Sequence, residues 1–179
     1  METTYLIRGK EVTLREGDLL LIHSDRSLLN RALAFVGGGY SHVGTLVQRG
    51  NELKLCSVYV APDGLVFENP SIFADAVFSK LAVVRPHARR TPIQIHALRL
   101  ACEDAHRLDA ACGHASYERG PLEFLATLLH LPSATNSQWH CSELTARLAR
   151  AVGAWPEGKT VSVGVGEVAS VVGTVERLF

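Results

Sequence analysis

The stretch Trp139-His140-Cys141-Ser142-Glu143-Leu144 decides how the rest of this chain is interpreted, because it places a cysteine where a helix is predicted to begin. After Cys141, apolar residues recur at helical spacing, and Gly153 followed by Pro156 predicts the end of the helix. The unpaired N–H groups and the positive dipole end at a helix start favour a thiolate over a thiol. Cys141 is therefore a candidate nucleophile, although a cysteine that packs as a small hydrophobic side chain also fits the pattern.

A second motif far upstream, Gly39-Tyr40-Ser41-His42-Val43-Gly44, opens a strand-like apolar run over residues 43–47. A histidine at the start of a strand can be held rigidly and face a helix N-terminus that packs on the sheet. Thiol catalysis requires this relation between cysteine and histidine. His42 is therefore the candidate base. His140 is the other candidate, but its side chain should diverge from that of Cys141 if a helix begins there.

Three short motifs, in this order, resemble the circularly permuted NlpC-type branch of the papain-like cysteine hydrolases. They are Gly17-Asp18-Leu19-Leu20, Tyr40-Ser41-His42-Val43-Gly44 and Cys141-Ser142-Glu143-Leu144. This branch includes the YiiX-like proteins and, more distantly, lecithin retinol acyltransferase, and in it the cysteine follows the histidine as it does here. The resemblance spans residues 16–152. It implies an α+β, permuted papain-like fold in which helices pack on one side of a small antiparallel sheet of about four to six strands.

The same resemblance implies a thiol-dependent hydrolase of the amidase or peptidase type, which acts at an amide or ester carbonyl. Cys141 would attack the carbonyl and His42 would transfer the proton. A lipid-directed thiol acyltransferase or esterase is an alternative within the same group. A binding domain that retains the fold but has lost activity is a further alternative.

The residue that orients the histidine departs from the family pattern. YiiX-like proteins are expected to carry a glutamate on the strand after the histidine strand, and this sequence has none there. Counting along the predicted hairpin from His42 without gaps reaches Ser57, whereas a shifted register reaches Val58 or Val60, which could not serve. Glu68 is an acid close by in the sequence, but it lies on the next strand or loop. We therefore predict that Ser57 orients His42.

Composition limits the remaining possibilities. The 179 residues are 47% hydrophobic and 20% charged, which is typical of one globular domain over residues 1–179. The 18 basic residues balance the 18 acidic ones, so no overall field favours nucleic acid as a partner. Residues 1–10 lack the apolar centre of a signal peptide, and no uncharged run is long enough to span a bilayer. We expect a cytoplasmic protein, although export by another route stays open.

No cofactor or metal is expected. The four cysteines form no Cys-x-x-Cys pair, and the best cluster of possible ligands is Cys102, His106, Cys112 and His114. Cys102 and His106 are four residues apart on a predicted helix and could share a face. A structural zinc site usually has more closely paired ligands than these.

The other elements are read from periodicity and turn signals. Strands are predicted at residues 19–22, 43–47, 53–60, 65–67 and 80–85, with a helix that ends at Gly37 and another that runs from Pro92 to near Gly113. Residues 69–78 are predicted to be a loop with a short helix. The tail, residues 161–179, could add an edge strand. Arg89 and Arg90 are interpreted as a solvated surface pair.

Residues 122–131 bear on the substrate. They form a predicted helix with a wide apolar face, located between Tyr117 and Cys141 in the sequence. Most such faces are core, and Tyr117 is interpreted in the same way, although related enzymes often place a tyrosine near the oxyanion site. An exposed apolar face would instead indicate a lipid substrate and peripheral membrane contact. A peptide-like substrate is the default, and the sequence does not decide the oligomeric state.

Overall fold

The computed structural model describes residues 1–26, 28–60, 63–75, 77–112, 140–161 and 163–179. Within them, six strands form one antiparallel sheet in the order β6-β5-β4-β3-β7-β8, and β1 and β2 form a separate hairpin. The strands are β1 (Glu2–Ile7), β2 (Lys10–Arg15), β3 (Leu19–His23), β4 (His42–Arg49), β5 (Glu52–Val60), β6 (Asp63–Glu68), β7 (Lys80–Pro86) and β8 (Gly173–Arg177). The helices are α1 (Leu28–Val36), a 3-10 helix (Pro70–Ala74), α2 (Pro92–Cys112), α3 (Cys141–Ala151) and α4 (Val165–Val172).

The central strand β3 is buried on both faces, and all five of its residues are buried. Leu19 and Leu21 point to one face and pack with α3 and α4. Leu20 and Ile22 point to the other face and pack with side chains of the β1–β2 hairpin and the 3-10 helix. Because successive strand residues alternate between faces, the run Leu19–His23 needs cover on both sides. The predicted α+β fold with helices on one side of the sheet is confirmed, and the hairpin covers the other side.

Helix α3 begins at Cys141, as the sequence predicts, and His140 is its N-cap residue in an extended conformation. Its apolar stripe includes Leu144 and Leu148, which pack with side chains of β4, β5 and α2. On its outer face, the Glu143 carboxylate pairs with Arg147 one turn later at 2.7 Å. The helix lies across β4 and β5, so its first residue is delivered to the sheet near the start of β4.

The predicted strands and helix α2 are also confirmed, with small changes at their ends. At the start of α2 the Thr91 hydroxyl accepts the Gln94 N–H at 3.2 Å, and the Gln94 side chain accepts the Thr91 N–H at 2.9 Å. This reciprocal capping satisfies two N–H groups that would otherwise lack partners. The short helix predicted within residues 69–78 is the 3-10 helix Pro70–Ala74.

The elements that the sequence analysis did not predict, β1 and α4, lie near the two ends of the chain. Residues 2–7 form β1, which pairs with β2 although the segment is largely polar. The tail contains α4 before its strand, and β8 adds to the edge of the sheet beside β7. The edge-strand prediction is therefore confirmed and α4 was missed. The predicted helix at residues 122–131 and Tyr117 lie outside the described residues, and among those described no helix is long and apolar enough to cross a membrane.

Candidate functional site

The strongest feature of the site is a hydrogen-bonded chain from His42 to the backbone of its own strand. The Oγ atom of Ser57 lies 2.8 Å from His42 Nε2, and it donates a hydrogen bond to the Val43 carbonyl, also at 2.8 Å. Ser57 is fully buried. The structure therefore brings together the two residues that the sequence paired as base and orienting residue.

This arrangement determines which nitrogen of His42 carries the proton. A serine hydroxyl has one hydrogen to donate, and here it goes to the Val43 carbonyl. Ser57 Oγ can then only accept from His42, so the proton of the neutral imidazole is on Nε2. Nδ1 is left with its lone pair available, as a general base requires.

The local backbone explains why a residue of β5 can reach β4 in this way. The two strands pair from Thr45 with Cys56 outward to the turn. If that register continues past the last ladder pair, Gly44 faces Ser57. A Cβ added to Gly44 would lie 2.8 Å from the Leu55 side chain and 3.0 Å from the Cys56 carbonyl oxygen. Glycine in the Ser41-His42-Val43-Gly44 motif therefore permits the close approach of the strands.

Burial dominates the electrostatics of His42. Desolvation lowers the pKa of the imidazole from its ordinary value of 6.5 to about 4. A carboxylate in hydrogen-bond contact would have raised the pKa instead, and among the described residues none opposes the effect of burial. His42 is therefore neutral near pH 7.

Tyr59 is a second neighbour of His42, which the sequence analysis missed. Its ring lies 4.2 Å from the imidazole, centroid to centroid, with an angle of 34° between the planes. The continued β4–β5 register would place Tyr59 opposite His42, two residues beyond Ser57 on the same face of β5. The alternation of β5 was the available signal, since counting to Ser57 also places Tyr59 beside the histidine.

The phenol of Tyr59 connects this cluster to the candidate nucleophile. Burial raises the pKa of the phenol most, the Glu68 carboxyl raises it further, and an electrostatic contribution from Cys141 also raises it. Tyr59 Oη and Glu68 Oε2 are both buried, yet neither meets hydrogen-bond geometry with any described residue. The two groups are therefore neighbours with an imperfect mutual geometry, at a point within electrostatic range of Cys141.

Cys141 is the first residue of α3 and is only 3% exposed. It packs in a cluster that includes Tyr40 and Val43, the residues that flank the Ser41–His42 pair. The Thr145 hydroxyl donates to the Cys141 carbonyl at 2.8 Å, which anchors the first turn of the helix. The thiol therefore lies at the helix start, in the part of the sheet where β4 begins.

A further polar group steadies the strand ends beside His42. His23 contacts Ser41 Oγ through Nδ1 at 3.3 Å and Asp25 Oδ1 through Nε2 at 2.9 Å. Ser41 in turn contacts the Ile22 carbonyl at 3.4 Å. These bonds tie the end of β3 to the residue immediately before His42, so they restrain the backbone that carries the imidazole.

The described residues provide no group of three or more His, Cys, Asp or Glu side chains placed to hold a metal ion. Of the cluster singled out from the sequence, Cys102 is buried in the same cluster as Cys56, and its influence, together with burial, raises the pKa of Cys56. The side chain of Cys112 and the whole of His114 lie outside the described residues.

No protein-family model matches this chain, and no curated protein matches it. Among solved structures, it is similar to a crystal structure described as that of the metalloprotein YiiX from Escherichia coli O157:H7 (DUF1105). The TM-score is 0.62 at 15% sequence identity, over 92% of this chain and 96% of the other. At this identity the similarity establishes a YiiX-like fold and nothing about activity.

Proposed function

We propose that this protein is a cysteine hydrolase of the circularly permuted NlpC type, which cleaves an amide or ester carbonyl. Cys141 is the nucleophile, His42 the general base and acid, and Ser57 the residue that orients His42. The permuted assignment rests on the order of the motifs, in which the histidine strand precedes the cysteine helix.

One observation carries the proposal. The tilted ring of Tyr59 lies 4.2 Å from the His42 imidazole, and Cys141 contributes to the raised pKa of its phenol. The same side chain thus contacts the candidate base and lies within electrostatic range of the candidate nucleophile. The Ser57 contact adds that His42 keeps its lone pair on Nδ1, to which the proposal assigns the proton of the thiol.

The proposed reaction uses these groups in two stages. His42 Nδ1 takes the proton of the Cys141 thiol as Sγ bonds to the substrate carbonyl carbon. The oxyanion accepts hydrogen bonds from N–H groups at the start of α3, where the helix dipole also favours negative charge. The carbon–nitrogen or carbon–oxygen bond then breaks, and His42 returns the proton to the leaving amine or alcohol. Water, activated by His42, hydrolyses the thioester and releases the thiol.

A peptide-like amide is the proposed substrate class, and no cofactor takes part in these steps. A lipid ester or acyl acceptor is the second class within the same chemistry, which residues 122–131 suggested from the sequence. A non-catalytic binding domain is the proposal from a different class, and the serine in place of the expected glutamate supports it. The tests that follow separate a catalytic thiol from a core thiol.

The first test compares thiol reactivity in the folded protein. Iodoacetamide labelling, followed by mass spectrometry across pH, should modify Cys141 faster than Cys56 or Cys102. Cys102 on α2 and Cys56 on β5 are both buried where the helix packs on the sheet, and Cys102 raises the pKa of Cys56, so they serve as internal controls. Equal or slower labelling of Cys141 would identify it as a packing residue and overturn the nucleophile assignment.

The second test asks which histidine acts on that thiol. His42→Ala should slow Cys141 labelling near neutral pH and abolish turnover of any amide or ester substrate found. The N-cap variant His140→Ala and the exposed control His87→Ala should do neither. Loss of reactivity in His140→Ala with retention in His42→Ala would show that the base has been misassigned.

A further inference from the structure

A cleft lies beside the start of α2, away from Cys141. Its volume is about 820 Å³, and it is lined by residues from the end of β2, the start of β3, the end of β7 and the start of α2. The Gln94 side chain donates to the Val152 carbonyl at 2.9 Å, so the start of α2 meets the end of α3. Helix α3 has 11 residues, which at about 1.5 Å per residue corresponds to about 16 Å between this region and Cys141. The cleft is therefore separate from the candidate catalytic site.

The carboxylates that line the cleft already have cationic partners. Glu2 pairs with Arg15 at 3.1 Å, Asp18 pairs with Arg85, and Glu16 pairs with Arg99 at 2.6 Å. Although burial alone would raise the pKa of Glu16, hydrogen bonds from Arg99 and the Gln48 N–H lower it, so this carboxylate stays charged. The acidic side of the cleft is thus internally neutralised.

Two guanidinium groups that line the cleft, those of Arg89 and Arg90, form no ion pair among the described residues. Arg89 is exposed, and neither Arg89 nor Arg90 lies within ion-pair distance of a carboxylate among the described residues. Asp18 exerts a weaker electrostatic influence on Arg90, but its carboxylate is already bound by Arg85. The Met1 ammonium also lies 3.5 Å from Glu16, and Glu176 lies 3.5 Å from Arg85. With these two groups included, the lining residues and their partners carry two more positive than negative charges.

Arg90 is not the solvated surface residue that its sequence context suggests. Its Nε atom is buried and has no hydrogen-bond acceptor among the described residues. The side chain lies against Gly17, where a Cβ would come within 2.7 Å of that Nε atom. Burial lowers the pKa of Arg90, and the charge of Asp18 opposes this. A buried donor without an acceptor is unfavourable, and the charge of the guanidinium makes an anionic oxygen the acceptor that suits it best.

We propose that this cleft binds the phosphate group of a small phosphate monoester, with Arg90 and Arg89 as the guanidinium donors. A phosphate monoester carries about −1.5 to −2 charges at neutral pH, which matches the two unpaired guanidinium groups. Arginine presents a planar fork of N–H donors that suits phosphate oxygens. Pro92 and Ile95, at the start of the 21-residue helix α2, also line the cleft, and the positive end of a helix dipole favours the same charge.

The size of the cleft indicates more than free phosphate. Small-molecule sites commonly have volumes of about 300–1,000 Å³, and the volume of about 820 Å³ lies within that range. The remainder of the ligand would lie against Pro86, Pro92 and Ile95, which give the cleft its apolar wall. The chain as a whole has no net charge, so anion binding here would be a local property of the two arginines.

The test is a titration of the ¹⁵N-labelled full chain with glucose 6-phosphate, inorganic phosphate and acetate, at constant ionic strength set with sodium chloride. The reporter is the Gly17 amide, which lies against Arg90. We expect saturable shifts with glucose 6-phosphate, weaker binding of inorganic phosphate and the weakest binding of acetate. Shifts that rise without saturation, or acetate binding as tightly as phosphate, would overturn the proposal.

The variants assign the binding to the two arginines. Arg90→Gln should weaken glucose 6-phosphate binding at least tenfold, Arg89→Gln several-fold, and Arg90→Lys by an intermediate factor because it keeps the charge but loses the fork. The control Arg177→Gln removes an equal charge from an exposed position on β8 and should bind as the parent does. Unchanged binding in both Arg90 variants would refute the assignment. If Arg90→Gln fails to fold, Arg90→Lys and Arg89→Gln decide.

Cys141→Ala separates this proposal from the catalytic one. It should bind glucose 6-phosphate as the parent does, because the cleft lies beside the start of α2, away from Cys141. Loss of binding in this variant would contradict the separation of the two sites, whereas loss of turnover alone concerns the proposed hydrolase.

Discussion

Mild acid should destabilise this protein through His42. The folded state holds the imidazole with a pKa of about 4 because burial penalises its charged form. In the unfolded chain the same group has an ordinary pKa of about 6.5. Between these values the unfolded state binds a proton that the folded state does not, so the free energy of unfolding falls as pH falls. The free energy of unfolding therefore has its full value above about pH 6.5 and falls as the pH is lowered from there to about 4.

The magnitude follows from the size of the window. One pKa unit corresponds to about 1.4 kcal/mol, so the full shift sets an upper limit of about 3 kcal/mol, and at pH 5 the loss is about 2 kcal/mol. The imidazole keeps some exposed surface, which makes these values upper limits. For a chain of this size, about 2 kcal/mol corresponds to a decrease in Tm of about 4–8 °C.

Urea unfolding at pH 8 and pH 5 measures the effect as a difference between variants. In His42→Gln the amide can still donate to Ser57 but does not titrate, so this variant should lose about 2 kcal/mol less than the parent between the two pH values. His87→Gln, at an exposed position, should follow the parent. Equal losses in His42→Gln and the parent would refute the argument that His42 is buried in its neutral form.

Two further substitutions test the packing around the site. Ser57→Ala removes both 2.8 Å contacts of the hydroxyl, so the His42 Nε2–H and the Val43 carbonyl lose their partners. It should lower the free energy of unfolding in urea by about 2–3 kcal/mol and slow iodoacetamide labelling of Cys141. Ser170→Ala, at an exposed position, is the matched control, and labelling at the parent rate in Ser57→Ala would mean that Ser57 does not orient His42. Leu144→Ala, in α3 at a position 1% exposed, should cost about 2–5 kcal/mol, whereas a loss no greater than that of the half-exposed Leu108→Ala would contradict the described packing of α3 on the sheet.

The parts of the fold that could be predicted from the sequence are those encoded by local pattern. Helix α3 was predicted because apolar residues recur every three or four positions after Cys141. Helix α2 was predicted because Thr91 is a typical N-cap residue and Pro92 is typical of the first helical position. The β4–β5 hairpin follows from two apolar runs around a polar turn. In each case one segment contains the whole signal, so no distant partner had to be known.

Helix α4 was missed because its local signals conflict. Valine and glycine alternate just before it, which is typical of a strand, and both residues have low helix propensity. The helical signal lies in the buried positions, which recur at helical spacing: Val165, Val168, Ala169 and Val172. Burial of that stripe against β3 and β7 outweighs the propensities, and this depends on a sheet that the tail itself does not encode.

In the two sites, too, contacts within one hairpin could be predicted from the sequence, whereas contacts between distant segments could not. Ser57 was reached by counting along a hairpin, and its contact with His42 is present. Arg90 was misinterpreted because its burial depends on Gly17, a residue distant in sequence whose missing side chain makes room for the guanidinium. Tyr59 and Glu68 influence each other although the β5–β6 register places Tyr59 opposite Gly64 and Glu68 opposite Leu55. Such contacts exist only once the strands are assembled.

The serine in place of the expected glutamate follows from the same local geometry. At this position the side chain must donate to the Val43 carbonyl and accept from His42 Nε2, both at 2.8 Å. A hydroxyl can do both, whereas an ionised carboxylate only accepts and would face the carbonyl oxygen without a proton between them. The site is also fully buried, so an uncompensated carboxylate there would be costly. The backbone around Val43 thus favours a neutral orienting residue, which fixes the tautomer of His42 without stabilising its charged form. Proton transfer from Cys141 in the proposed reaction would then accompany the attack on the carbonyl and not precede it.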